Sequence, residues 1–502
     1  MAENAHAAER FTEHVLGLQW SDVSASAQAD MKHFLLDTLA VGIAGRKAWL
    51  ADHLLYVAKG WGKAGAQDQA AHVFASAGSN GEGERLPVSA AAYVNGFQIH
   101  CQEYDCVHEP AVVHPMAVIC AALTAEAEAS GASGADYLAA MVGAVDVAAG
   151  LGAAVQSPIR FFRPATAGLF GATLGVARLR GATKAQALDA LGYALSQAAG
   201  TMQAHVEGKP ALPVQIAGAA RAAIVANDLA FAGFPGPHDV FEGPYGYLSL
   251  FEEQWEIEPV LAALGETFRI EEVSYKPFPT GRAAQGGIVM MKQLRADGVK
   301  ASDVERITLT APPLIHRLVG RPVTSQMQIN YARLCFAYSG AVALSRGAVG
   351  LSDFTEEALE DPDILRLAES ISVEIDEDVS DPARFGPQTL RAELKSGKSV
   401  TARIDALYGS PADPMTPEDV AAKRAECLAF GFGGARPDLD RALSRAVWLA
   451  PSLEDAGVIA RLAAGDADAL KAFADEDDTD QNGSDQNDSG PAPDKNQGEG
   501  ED

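Results

Sequence analysis

Apolar residues recur at helical spacing through the first half of the chain and again near its end. Residues 34–45 read FLLDTLAVGIAG and close on a glycine, and comparable runs cover 88–102 and 117–130. Apolar positions three and four residues apart predict helices, and a glycine commonly ends one. We therefore predict successive helices to about residue 250 and helices again after residue 409.

The pattern changes near residue 268. Residues 268–275, 306–311 and 371–375 alternate or carry β-branched side chains, which predicts strands. Residues 389–394 and 399–404 flank the turn KSGK and predict a hairpin, while 331–346 predicts helix. The middle of the chain is therefore expected to be a smaller α/β unit.

These segments predict a mainly α protein with a smaller α+β lid. The C-terminal helices are expected to pack back on the first helices, so that both chain ends build one large all-helical domain. The predicted units are a helical domain from 1–267 and 409–474, an inserted lid from 268–408, and a disordered acidic tail from 475–502.

The amino-acid composition and net charge exclude some classes of binding partner. The 502 residues are 48% hydrophobic but only 7% aromatic, which favours closely packed helices. The formal charge is −28, and the acidic tail contributes −10 of it. Such a surface repels nucleic acid and anionic membrane, so an anionic substrate needs a local basic pocket. Five cysteines without a CxxC pair, and no visible signal peptide, predict a cytoplasmic protein.

The densest cluster of reactive side chains is HCQEYDCVHEPAVVHP at 100–115, which includes Glu103, Asp105 and His114. Metal binding is one interpretation, but no HxH or HExxH spacing is present, so we predict no metal. Pro115 suits the first position of a helix and places His114 at the N-cap. The helix dipole there favours a bound anion and lowers the histidine pKa, so His114 is a candidate base or donor. The alternative is that His114 is only a cap.

Three further segments are basic. IRFFRPATAG contains Arg163, AHVEGKPALP contains His205 and Lys209, and YKPFPTGR contains Lys276 and Arg282. Guanidinium groups bind carboxylates bidentately, although an ordinary salt bridge is the commoner role. A lysine near another cation at a domain boundary can act as a general base, and the alternative is a solvated lysine in a rigid linker.

These motifs, taken in order, resemble the MmgE/PrpD family. The resemblance runs from about residue 11 to 430 and rests on ordered segments. They are FLLDTLAVGIAG, VNGFQIHCQEYD with the following HP, GLFGATLGVARLRG, VEGKP with GAARAAIVA, FEGPYGYLSLF, YKPFPTGR, ARLCFAY and ALYGSPADPMTPEDVAAK.

The resemblance implies a fold and an activity. Family members include 2-methylcitrate dehydratase, cis-aconitate decarboxylase and iminodisuccinate epimerase. It implies a homodimer without metal or organic cofactor, with the active site in the cleft between a helical domain and a lid. Carried over by position, the family's histidine before proline falls on His114, its lysine on Lys276 and its lid tyrosine on Tyr338.

Other positions depart from the family pattern. Glu103 stands for the first acidic residue, Asp105 keeps the second, and Val107 replaces a threonine. Arg163 replaces a second histidine. Leu212 stands where the family has a lysine, and Lys209 lies three residues earlier. Thr280-Gly281 replaces a residue that is often histidine or cysteine in the family, and Arg282 is retained.

The leading hypothesis is an enzyme that abstracts a proton next to a carboxylate of a small di- or tricarboxylate. Lys276 is the expected base and His114 or Tyr338 the acid, while substrate-binding roles are expected for Arg163, Arg282, Lys209, Glu103, Asp105 and His205. A 2-methylcitrate dehydratase-like lyase is favoured. The alternatives are an epimerase or isomerase of a dicarboxylate, a non-catalytic metabolite-binding relative, and a metal-dependent hydrolase.

Overall fold

The computed structural model describes residues 6–65, 69–78, 81–379 and 384–474. The predicted acidic tail lies outside these residues. The two largest apolar cores among the described residues divide the fold: one is built mainly from residues before 274 and after 426, and the other from residues 278–407. The described chain is therefore a large helical unit that both ends build, with a smaller α/β unit between them, which confirms the predicted fold class.

Among the described residues, the first part of the helical unit contains twelve α-helices and four short strands. The helices are α1 (Ala7–Gly17), α2 (Ala25–Gly45), α3 (Ala51–Lys59), α4 (Val88–His100), α5 (Pro115–Ser130), α6 (Gly134–Ala153), α7 (Arg163–Leu179), α8 (Lys184–Leu195), α9 (Gln203–Glu207), α10 (Ala211–Phe231), α11 (Tyr247–Phe251) and α12 (Glu258–Ala262). The strands are β1 (Ala70–His72), β2 (Arg85–Pro87), β3 (Val107–His108) and β4 (Val273–Ser274).

The lid and the C-terminal helices follow. The lid contains α13 (Arg282–Ala296), β5 (Val304–Ala311), α14 (Pro313–Val319), α15 (Ile329–Arg333), α16 (Phe336–Arg346), α17 (Pro362–Ala368), β6 (Ile371–Ile375), β7 (Gln388–Leu394) and β8 (Ser399–Ile404). The chain then returns to the helical unit as α18 (Pro417–Phe432), α19 (Pro437–Leu449), α20 (Gly457–Ala464) and α21 (Ala467–Ala474).

Small residues allow the central helices to approach closely. A methyl group added at Gly171 of α7 would lie 2.3 Å from the carbonyl oxygen of Ala144 on α6. No side chain fits at this position, so glycine lets α6 and α7 pack directly against each other. Helix α6 is long and apolar enough to cross a membrane by length and composition, but 89% of its most apolar window is buried inside the fold. Its acidic residue, Asp146, accepts hydrogen bonds from His14 and the backbone of Arg269, which satisfy the buried carboxylate.

The lid sheet has the strand order β6-β5-β7-β8. Strands β5 and β6 are parallel, while β5–β7 and β7–β8 are antiparallel. The predicted hairpin is confirmed, and its turn contains Gly397 at φ 82°, a left-handed conformation that glycine adopts readily. Helices after residue 409 are confirmed as well, and the first of them, α18, is capped by Thr416, which accepts a hydrogen bond from the Asp419 amide.

The predicted strand at 268–275 is largely wrong. Residues Arg269–Glu272 form a 3-10 helix, and only Val273–Ser274 is extended. This segment crosses from the helical unit to the lid, and its one strand pair is with Val107–His108 rather than with the lid sheet. The β-branched residues of this segment indicated an extended backbone, but they did not indicate which strand it would pair with.

Candidate active site

One short strand pair brings the two most reactive segments of the chain together. Helix α4 ends at His100, a turn follows, and β3 then pairs with β4 in the register Val107 to Ser274. Lys276 lies two residues beyond this pair. The pairing therefore places the lysine of YKPFPTGR beside the turn that carries Glu103 and Asp105.

Lys276 is fully buried against two carboxylates. Its Nζ donates to the Glu103 carbonyl oxygen at 3.2 Å and to Glu103 Oε2 at 3.1 Å. Asp105 Oδ1 lies 3.7 Å from the same nitrogen. Buried charges are tolerated when they are paired in this way, so the three side chains form one charge network.

Two imidazoles flank Asp105. His100 Nδ1 lies 2.9 Å from Asp105 Oδ2, and His114 Nδ1 lies 3.1 Å from the same oxygen. The two ring centroids are 5.0 Å apart. His100 Nε2 is buried and has no hydrogen-bond partner among the described residues. Glu103 Oε1 lies 3.6 Å from this nitrogen, within ion-pair distance but too far for a hydrogen bond. A buried ring nitrogen without a hydrogen bond is costly, which makes it a candidate contact for a bound substrate.

The surrounding charges and burial shift the pKa values of His100 and His114 in opposite directions. Burial alone would lower the pKa of His100, but the carboxylates of Asp105 and Glu103 outweigh it and raise that pKa. Burial, followed by the Lys276 charge, lowers the pKa of His114, in the direction expected from the sequence. The site thus favours an imidazolium at His100 and a neutral imidazole at His114. Such a pair provides one acid and one base.

The carboxylates stay ionised despite their burial. Burial opposes the charge of Glu103, but Lys276 and then the two histidines lower its pKa to about 2. Burial likewise opposes the charge of Asp105, while His100, His114 and Lys276 hold its pKa well below the usual value. At neutral pH both groups are therefore anions that organise the neighbouring cations.

This network opens into a cavity between the helical unit and the lid. The cavity has a volume of about 60 Å³. His100, Glu103, His114, His205 and Arg282 line it, with apolar walls that include Phe162. The cavity is suited to a small polar molecule whose orientation a few charged groups control.

Two residues that line the cavity have unusual backbones. Glu103 has φ 51° and Val112 has φ 52°. Residues with a β carbon seldom adopt this left-handed region, and a β-branched residue does so least. Such conformations concentrate at functional sites. The strain therefore supports the cavity as the site of chemistry.

A metal ion has partial support from geometry. His100, Asp105 and His114 each offer a ligand atom within 4.8 Å of one another. However, the Lys276 ammonium already lies 3.7 Å from Asp105 and supplies a positive charge there. A divalent cation at the three ligands would face that ammonium, so the residues present do not fit a metal well.

The structure places His205 and Arg282 at the cavity, as expected for substrate-binding residues. Burial, followed by the nearby Arg321 charge, lowers the pKa of His205 to about 3. Arg282 is engaged by protein groups, with Nη2 2.7 Å from Glu109 Oε1 and Nη1 donating to the Tyr408 carbonyl. It therefore contributes positive charge to the wall while its own partners hold it in place.

Arg163 and Lys209, which the sequence predicted to bind substrate, do not line this cavity. Arg163 is buried in an ion pair with Glu252 at 2.8 Å, and it also donates to the carbonyl of Ser157. Its donors are used inside the protein. Lys209 is exposed and donates to Gln328 at 3.3 Å. It lines a separate surface hollow of about 700 Å³ against α9 and α10.

Tyr338, which the sequence predicted as a candidate acid, also does not line this cavity. Its ring belongs to the lid core, and its hydroxyl donates to the carbonyls of Asp353 at 2.8 Å and Ala358 at 3.1 Å. Burial raises the pKa of this phenol. Helix α16 points it into the lid interior, where it cannot reach the carboxylate network without repacking.

Sequence reasoning missed His100 and Arg333. His100 opens the same reactive stretch, but nothing local showed that its ring would meet Asp105 and His114. Arg333 is buried and donates to the carbonyls of Gln102 and Pro279. Arg333 lies within the ARLCFAY motif, but nothing local to that segment marked it as a site residue, because its acceptors lie 231 and 54 residues away along the chain.

A buried acid–base pair, a lysine and two carboxylates at the junction of two units define an enzyme site. Models of the MmgE/PrpD N-terminal domain and the MmgE/PrpD C-terminal domain match residues 9–260 and 278–446. The chain belongs to the MmgE/PrpD family.

Curated relatives indicate the reaction type. The chain is 26% identical to a cis-aconitate decarboxylase of Homo sapiens over 83% of this chain and 86% of the relative. It is also 26% identical to a cis-aconitate decarboxylase-like protein, oryM, of Aspergillus oryzae over 82% and 88%. A cis-aconitate decarboxylase of Mus musculus is 27% identical over 76% and 79%. The chain is an enzyme of the lyase type.

Proposed function

We propose that this lyase decarboxylates a small unsaturated polycarboxylate of the cis-aconitate type. The observation that carries the proposal is the pair of imidazoles on Asp105, whose pKa values are shifted in opposite directions, at a cavity whose lining residue Glu103 pairs with the buried Lys276. The names of the relatives favour decarboxylation over the dehydration that the sequence suggested.

Decarboxylation needs a proton donor more than a base. When the carbon–carbon bond to the leaving carboxylate breaks, CO2 departs and its bonding pair moves into the carbon framework. In an unsaturated acid that pair forms a new double bond, and the far carbon of the old double bond takes a proton. A positioned acid of raised pKa can supply this proton, and solvent restores it afterwards.

His100 is the donor in this proposal. The carboxylates favour its charged form, and its Nε2 makes no hydrogen bond among the described residues, with Glu103 Oε1 3.6 Å away. Lys276 and Arg282 provide positive charge for the substrate's remaining carboxylates and for the negative charge that develops during bond breaking. Lys276 thus acts as a cation in the network rather than as the base expected from the sequence.

An epimerase is the second candidate, because the same pair meets its requirement. A two-base epimerisation needs a neutral base on one face of a carbon and an acid on the other. His114 and His100 provide these two states 5.0 Å apart. The two candidates differ in whether CO2 leaves.

The experiment is NMR of the purified protein in D2O with cis-aconitate, 2-methylcitrate, citrate and iminodisuccinate. Decarboxylation predicts loss of a carboxyl carbon with one deuteron incorporated into the product. Deuterium exchange without loss of carbon would favour the epimerase, and inactivity on the whole panel would contradict both.

Variants test the assignment of roles. His100→Gln is expected to lower kcat by roughly 10²-fold or more, since it removes the proton donor. The control is His72→Gln, because His72 is likewise buried and paired with a carboxylate, that of Glu128, away from the cavity. Equal activity of His100→Gln and His72→Gln would exclude His100 as the donor.

Other expectations stay predictions. They are a homodimer, a cytoplasmic location, the lack of an organic cofactor, and the lack of nucleic acid or membrane as partners. A non-catalytic role is distinguished by the same NMR panel, where it predicts ligand-induced stabilisation without turnover.

A further inference from the structure

The turn after α4, residues 102–104, presents three consecutive carbonyl groups to three different buried cations. We call it the three-cation turn. The distances from donor nitrogen to carbonyl oxygen are 2.9 Å from Arg333 to Gln102, 3.2 Å from Lys276 to Glu103 and 3.0 Å from Lys423 to Tyr104.

The three cations come from separate parts of the fold. Lys276 lies at the crossing into the lid, Arg333 ends α15 of the lid, and Lys423 belongs to α18 of the helical unit. Each is at least nine-tenths buried. The three-cation turn is therefore the point at which both units contact the same backbone.

The cations have different balancing partners. Lys423 pairs with Asp37 at 2.7 Å, and Lys276 with Glu103. Arg333 has no carboxylate within ion-pair distance among the described residues. Its hydrogen bonds go to the carbonyl and side chain of Gln102 and to the Pro279 carbonyl at 2.8 Å. The guanidinium also lies 4.4 Å from the centroid of the Phe354 ring. A buried guanidinium whose hydrogen bonds all go to neutral acceptors is costly to keep, so a specific role is expected.

The turn needs support because its central residue is strained. Glu103 adopts φ 51°, which a residue with a β carbon holds only when its surroundings impose it. The carboxylates of Glu103 and Asp105 both take their positions from this backbone. If the turn relaxed, the carboxylates would move relative to the two imidazoles.

We infer that Arg333 and Lys423 are positioning residues that hold the three-cation turn in its strained form and thereby place Glu103 and Asp105 for catalysis. Neither residue lines the cavity. Both act through backbone carbonyls, and Arg333 also fixes Pro279 in the segment that follows Lys276. For its effect on turnover, this inference rests on the proposed function.

The first experiment compares Arg333→Met, Arg333→Lys and a matched control, Arg178→Met. Arg178 is also nearly buried and donates to two backbone carbonyls, those of Val15 at 2.9 Å and Leu16 at 3.1 Å, far from the turn. Both arginine-to-methionine changes remove bonds to carbonyls, but only one releases the turn.

The expected result is a split between kcat and KM. Arg333→Met should lower kcat by about 10²-fold, the loss typical of a misplacement near 1 Å. KM should change by less than about threefold, because the cavity cations remain. Arg333→Lys should recover part of kcat, and Arg178→Met should keep kcat within about twofold of the wild type. Unchanged kcat in folded Arg333→Met, or an equal loss in Arg178→Met, would overturn the inference.

The second experiment tests Lys423 without leaving a lone buried carboxylate. The double variant Asp37→Asn/Lys423→Met removes both charges of the pair. We expect it to lower kcat in the same way as Arg333→Met, while Asp37→Asn alone retains the lysine at the Tyr104 carbonyl and most of kcat. Full activity of the folded double variant would remove Lys423 from the inference.

Hydrogen–deuterium exchange separates this inference from the proposed reaction. Exchange of the peptide that covers residues 101–107 should rise in Arg333→Met but not in Arg178→Met. If the wild type turned over no polycarboxylate but this local rise occurred, the turn would be confirmed as held by Arg333 and the proposed function would fail. No local rise would refute the positioning role whatever the substrate.

Discussion

Replacing Asp105 with asparagine tests the electrostatic account of the site most directly. Asparagine has nearly the same shape and keeps one acceptor oxygen, but it removes the charge that lies 2.9 Å from His100 Nδ1. At an effective dielectric constant of about 20, two unit charges about 4 Å apart interact by about 4 kcal/mol. Its loss should change the ratio of charged to neutral imidazole at His100 by roughly a thousandfold.

The direction of the effect follows from the causes of the pKa. Burial, and after it the Lys276 charge, lowers the pKa of His100, while Asp105 is the largest influence that raises it. Without the carboxylate, burial dominates and His100 becomes neutral at pH 7. The proton donor is then absent at neutral pH, so kcat should fall by about 10²-fold or more and recover in part as the pH is lowered.

The assay is a pH titration of the imidazole C–H signals by NMR, with His100 assigned from the spectrum of His100→Gln, together with kcat measured across the same pH range. Asp146→Asn is the control, because Asp146 is also buried and bonded to a histidine, His14, outside the cavity. The reasoning is refuted if His100 titrates at the same pH in Asp105→Asn as in the wild type, or if kcat at pH 7 is unchanged.

Three further predictions concern stability and metal. The pKa of His205 is about 3 in the folded protein and near 6.5 when unfolded. The unfolded state alone therefore takes up a proton as the pH falls from 6.5 toward 3, and stability should drop by up to about 1.4 kcal/mol per pH unit from this group. Urea unfolding at pH 6.5 and 5.0 should show a drop that is about 2 kcal/mol smaller in His205→Gln. Gly171→Ala should destabilise the protein by about 1–3 kcal/mol through its contact with Ala144, whereas Gly218→Ala, with open space at its β position, should be neutral or stabilising in thermal unfolding. Treatment with EDTA should leave turnover unchanged, since Lys276 supplies the positive charge beside Asp105, and stoichiometric metal in elemental analysis with loss of activity on its removal would contradict this.

Helix starts and turns were predicted well from the sequence where the residues that form them are close neighbours along the chain. Thr416 and Pro417 start α18, Gly397 turns the lid hairpin, and Pro115 opens α5 with His114 before it. Each of these depends on backbone conformations and hydrogen bonds within a few residues. The segment 268–275 shows the limit, because its extended part depends on a partner strand far away in the sequence.

The mainly helical fold with its inserted lid could be predicted from the sequence alone. So could the two reactive segments, the stretch that begins at His100 and the segment that contains Lys276. Which charged residues contact one another could be read only from the tertiary structure. Arg163 uses its charge on Glu252, 89 residues away, and Tyr338 turns into the lid core, while His100 and Arg333 join the site. The type of a residue limits what it can bind. Its actual partner depends on how helices that are distant in the sequence pack together, which a local sequence pattern does not show.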